Sequence, residues 1–116
     1  MVGKRLNGYI NWRRNRRVVH DPAVLSAFAA DVRTHTHIHS TVTGDIANIA
    51  LPAEFLRGRD WLESLGSAQD VTLVPGNHDI YVREAGALAA RQWGAYMCDD
   101  DGQGGFPFVR RRGNVA

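Results

Sequence analysis

The sequence predicts an α/β fold built from parallel βαβ units, and three observations predict it. Apolar residues recur at helical spacing around residues 22–33 and 52–65, and an Ala-rich segment over about residues 84–93 reads as a third helix. Two short runs, 37–43 and 71–74, one rich in β-branched residues and the other apolar, alternate with those segments and read as strands. Each run stops at a glycine turn, one at Gly44 and the other at Pro75-Gly76. Helix, strand, helix, strand, helix in that order argues for parallel strands joined by a crossover helix. At 116 residues the chain suits one small domain or a piece of a larger one.

Each element carries its own local signals. His20-Asp21-Pro22 reads as a helix start, with Asp21 capping free N–H groups and Pro22 at the first helical position. Val24, Leu25, Phe28, Ala29 and Val32 then form one apolar face, and the helix should end near Arg33. The second helix should start at Pro52 and run through Phe55, Leu56, Trp61, Leu62 and Leu65 to a stop at Gly66, although Gly58 weakens its middle. The third is rich in alanine. Residues 99–105 are acidic, then glycine-rich, and read as a loop, and 106–112 should begin another strand. Residues 1–20 place Leu6, Tyr9, Ile10 and Trp12 within a basic segment, expected as a loop leading into a short helix. No repeat or linker divides the chain.

Charge and cysteine content narrow the classes. The formal net charge is +2, so the chain as a whole is not a polycation. The basic residues cluster at the ends: Lys4, Arg5, Arg13, Arg14, Arg16 and Arg17 with no acid among them, and Arg110-Arg111-Arg112. Cys98 is the only cysteine, which rules out an intramolecular disulfide and a cysteine-based zinc site. That content fits a reducing compartment. No run approaches the apolar length of a membrane span, and no apolar signal core follows the basic start. The expectation is a soluble, cytoplasmic polypeptide.

Right-handed crossovers put Asp45 and Asn77 at one edge of the sheet, the carboxyl edge, where open α/β sheets place their sites. On neighbouring strands about 4.8 Å apart they would share one cluster. Hydrolysis of a phosphate ester needs charge neutralisation and an activated water, and two divalent ions supply both. The Asp45 carboxylate can bridge such a pair, and Asn77 offers a neutral carbonyl ligand. His78 can face the phosphate as a charge stabiliser or proton donor, and Asp79 is expected to orient the His78 ring. Gly44 lets the backbone turn close to the cluster, and Gly76 stands at the matching turn after the second strand.

Thr43-Gly44-Asp45-x-x-Asn48 together with Pro75-Gly76-Asn77-His78-Asp79, one helix apart, resembles the second and third motifs of the calcineurin-like metallophosphoesterases. Gly8-Tyr9-Ile10-Asn11-Trp12-Arg13-Arg14 and Leu51-Pro52-Ala53-Glu54-Phe55 look like a bacterial branch of that family. The resemblance implies a four-layer α/β/β/α sandwich and hydrolysis of phosphate mono- or diesters with two divalent ions, manganese, iron or zinc. It implies that Asp45 bridges both metals, Asn77 ligates the second and His78 contacts the phosphate, with Asn48 supporting them from behind. The family's first motif, Asp-x-His, has no counterpart before Asp45, and no histidine follows His78 to match its later histidine motifs. Residues 1–116 are therefore expected to be a partial domain with an incomplete second metal site and little activity of its own.

Other residues have plainer readings. His35, His37 and His39 alternate as a zinc-binding face would, but they precede the metal edge. His39 is expected as a packed strand residue, and His35 and His37 as part of the preceding turn. The N-terminal arginines could grip a nucleic acid or an acidic phospholipid, and Trp12 could add stacking. A solvated surface is the expected reading there, and a non-catalytic nucleic-acid-binding or remnant module is the alternative function. Trp61 and Trp93 are expected to pack, and Cys98 to have no catalytic role.

Overall fold

The structure is a computed structural model that describes residues 22–35 and 39–115. It is α/β: helix α1 (Pro22–Thr34), strand β1 (Ser40–Val42), helix α2 (Pro52–Leu65), strand β2 (Val71–Leu73) and helix α3 (Ala85–Trp93), followed by one 3₁₀ turn at Gly94–Tyr96. The strands are parallel, with Ser40 opposite Val71 and Val42 opposite Leu73. Two further bonds extend the ladder, Ser40 N–H to Asp70 O at 2.8 Å and Val74 N–H to Val42 O at 2.9 Å. That register makes the chain leave both strands at the same level, so the two glycine turns face each other.

The core forms where α2 and α3 close over β2. Phe55, Leu62, Leu73, Ala85 and Trp93 have no exposed surface. The Phe55 and Trp93 rings lie 4.7 Å apart, and the Trp93 indole N–H donates to the Phe55 carbonyl at 2.9 Å. Gly58 has a packing reason: a Cβ there would sit 2.8 Å from both Ile46 and the Trp93 ring. Trp61 packs against the edge of the core.

Two expectations change. The apolar stripe of α1 is not a core face among the described residues: only Ala29 is buried, while Val24, Leu25 and Phe28 are exposed. Residues 106–112 are not a strand. They are held by side chains instead of a ladder. The Arg110 guanidinium donates to the carbonyls of Ala68 at 2.6 Å, Val71 at 2.8 Å and Cys98 at 2.6 Å. Arg112 donates to Asp100 at 2.6 Å and to the Gln69 carbonyl at 2.6 Å. Carbonyls at the N-terminal side of β2 thus meet guanidinium groups where a further strand would offer backbone N–H. No described helix is long and apolar enough to cross a membrane.

Candidate functional site

The site lies at the carboxyl edge of β1 and β2, where the turn after Val42 meets the turn after Leu73. Gly44 has φ +91° and its α-carbon abuts the Gly76 backbone so closely that a Cβ would overlap it. Gly76 in turn leaves no room for a Cβ beside the Asp45 carboxylate. The two glycines let the motifs touch, as the sequence implies. Asp45 follows with φ +58°, a left-handed conformation that costs a non-glycine residue on the order of 1–3 kcal/mol. That conformation leaves Asp45 exposed at the rim, and its Oδ1 accepts the His78 N–H at 3.1 Å.

Asp79 has no exposed surface, and its carboxylate is the hub of both turns. Oδ2 accepts the N–H groups of Asp45 at 2.8 Å and Gly76 at 2.9 Å, and Oδ1 accepts that of Ala47 at 2.7 Å. A buried carboxylate is tolerated when several donors satisfy it. The expected role for Asp79, orienting the His78 ring, is not the one seen. The ring's Nδ1 is bonded to the Asn48 carbonyl at 2.7 Å. Neighbouring residues in a tight turn face different ways, and Asp79 faces inward.

Asn48 thus meets the His78 ring through its backbone oxygen. Asn77 is exposed in the turn after β2, between Gly76 and His78. Glu54 went unassigned in the sequence. Its carboxylate accepts N–H from Asn48 at 3.2 Å, Ile49 at 3.2 Å and Leu51 at 2.8 Å, tying the loop after Asp45 to the first turn of α2. The available signal was Pro52 followed by Glu54, since an acid at the third helical position reaches back to the free N–H groups before a helix. Tyr81 lies parallel to the His78 ring, with centroids 6.1 Å apart and an 8° interplanar angle.

The donor set bears on a metal. Asp45 and Asn77 offer carboxylate and amide oxygens, which suit a hard divalent ion. Among the described residues no three His, Cys, Asp or Glu side chains gather as a metal site. These residues fit part of one ion's shell, not the whole of a two-ion centre.

The histidines ahead of the site divide. His35 is exposed and lies 3.4 Å from Asp31 on α1. His39 sits at the entry end of β1, packed against Thr72 (Nε2 to Oγ1, 2.7 Å) and accepting from Arg112 Nε at 3.2 Å on Nδ1. Burial and the two guanidinium groups of Arg112 and Arg110 lower its pKa below the ordinary histidine value. His37, the cap at Asp21 and the basic segment from Lys4 to Arg17 with Trp12 lie outside the described residues. Cys98 is half-buried, its Sγ 3.3 Å from an Arg110 donor.

No family model, curated protein or solved structure matches this chain.

Proposed function

We propose that this chain carries the central metal-binding part of a calcineurin-like metallophosphoesterase, which hydrolyses phosphate mono- or diesters with two divalent ions. In this reading the βαβ unit is one portion of that family's α/β/β/α sandwich. One observation carries it. Two turns separated by a whole helix interlock at the carboxyl edge, Gly44 on Gly76, with the Asp45 carboxylate on the His78 N–H. Turns that merely reverse the chain have no need of that juxtaposition.

Bound manganese, iron or zinc would neutralise phosphate charge and activate a water. Asp45 would bridge the ions, and Asn77 would ligate one of them. His78 has Nδ1–H committed to the Asn48 carbonyl, so only in the doubly protonated ring would Nε2–H be there to donate to a phosphate oxygen or the leaving group. Asp79 and Glu54 hold these residues in place without touching substrate. The described residues supply one carboxylate and one amide, so turnover by this chain alone is expected to be weak. The lone Cys98 favours a reducing, cytoplasmic setting.

Titration of the 15N-labelled chain with Mn2+ tests the reading through paramagnetic broadening. Amide signals of Asp45, Asn77 and His78 should broaden first, and Asp45→Ala should abolish the effect. Any Mn2+-dependent turnover of an aryl phosphate should vanish in the same variant. Broadening centred on His35, or surviving in Asp45→Ala, would sink the proposal. Salt-dependent DNA binding indifferent to Asp45→Ala would favour the nucleic-acid module instead.

A further inference from the structure

We propose that Glu54 is a positioning residue for His78, acting through the peptide group between Asn48 and Ile49. That group is planar and trans, so the Ile49 N–H and the Asn48 C=O point in opposite directions. Glu54 Oε2 accepts the N–H at 3.2 Å, and His78 Nδ1 meets the oxygen at 2.7 Å. Holding one end of the peptide aims the other. A carboxylate on the N–H also polarises the peptide, which makes its oxygen a stronger acceptor.

The rest of the loop shows that this orientation is imposed. Glu54 also grips the N–H groups of Asn48 and Leu51 on either side. Ala50, between them, has φ +57°, which an alanine holds only when its surroundings require it. The carboxylate spans the strained turn like a staple.

The consequence is a defined tautomer. A carbonyl can only accept, so Nδ1 carries the proton and the neutral His78 ring keeps Nε2 bare. Free imidazole side chains favour the opposite tautomer, with the proton on Nε2. Glu54 therefore determines which nitrogen His78 presents outward. The catalytic meaning of that choice rests on the reading of His78 as the phosphate-facing group. The tautomer itself does not.

Ring 15N shifts of His78 in the full chain, in mildly alkaline metal-free buffer, test the proposal. The wild type should show the Nδ1–H form in excess. Glu54→Ala should lower the ratio of Nδ1–H to Nε2–H roughly fivefold or more, the size expected for one lost hydrogen bond. Glu54→Gln, with one acceptor oxygen left, should fall between them. The His39 ring should not change in either variant. An unchanged His78 ratio in Glu54→Ala would overturn the proposal, as would an equal change in Leu62→Ala, which loosens the core elsewhere. If Glu54→Ala fails to fold, Glu54→Gln decides, and a wild-type ratio there overturns it. Failure of the Mn2+ titration with the tautomer shift intact would remove the phosphoesterase reading and leave the positioning role standing.

Discussion

At the scale of single residues, the site depends on two carboxylates that need never meet substrate. Asp79 joins the turn after β1 to the turn after β2 through three backbone N–H groups. Removing it leaves those donors without their acceptor at a buried point, and each is worth about 1–3 kcal/mol when unsatisfied. Asp79→Ala should therefore cost about 3 kcal/mol or more, read as a lower urea midpoint at unchanged slope. Asp79→Asn keeps one acceptor oxygen and should cost less. A loss under about 1 kcal/mol in the alanine variant would mean the turns hold each other without Asp79. The sequence made Asp79 a candidate because it follows His78. Its partners lie mostly some thirty residues earlier in the chain, and nothing local in the sequence names them.

At the scale of elements, the contact between α2 and α3 turns on Gly58. Helix propensity alone predicts that Gly58→Ala stabilises by about 1 kcal/mol. The packing predicts the reverse, because the new Cβ meets Ile46 and the buried Trp93 ring at 2.8 Å. Overpacking a filled core costs about 1–3 kcal/mol, so the steric effect should win or at least cancel the gain. Thermal melts of Gly58→Ala should show no increase in Tm. A clear increase would show that Trp93 can move aside. The glycine was visible in the sequence as a flaw in a helix. Its use as a close-approach point needed the second helix in place.

At the scale of the whole molecule, the two ends of the sheet do different work. The carboxyl end carries the candidate site, and the entry end carries His39 under the Arg110 and Arg112 segment. Arg112 donates to His39 Nδ1, so a protonated ring would place an N–H against an N–H. Burial first, then Arg112 and Arg110, disfavour the charged ring, and Asp70 and Asp100 favour it more weakly, with a net lowering of the pKa below 6.5. The unfolded chain then binds the proton first as acid is added. The contribution of His39 is fully present above pH 6.5 and is lost as pH falls through 6.5 toward the folded value. Unfolding measured across that range should show stability declining with acid, and His39→Gln should flatten the decline. Asp100, held low by the Arg111 N–H and Arg112, acts below 3.8 and stays out of this window. An identical slope in the variant would exclude His39 as the source.

The order of helices and strands was legible because periodicity and chain breakers act within a few residues. Pro52 and Gly66 bracket α2 at Pro52–Leu65, and both strands end two or three residues ahead of Gly44 and Gly76, at Val42 and Leu73. The α/β class and the pairing of the two turns at one edge followed from that order. Tertiary structure alone decided the rest. It turned Asp79 inward, passed the His78 ring to the Asn48 carbonyl and recruited Glu54 to hold that carbonyl. It left the α1 stripe exposed and gave the carbonyls beside β2 to arginine side chains instead of another strand. A side chain's residue type sets what it can bond. Which backbone group comes within reach is set by segments distant in the chain, and only folding brings them together.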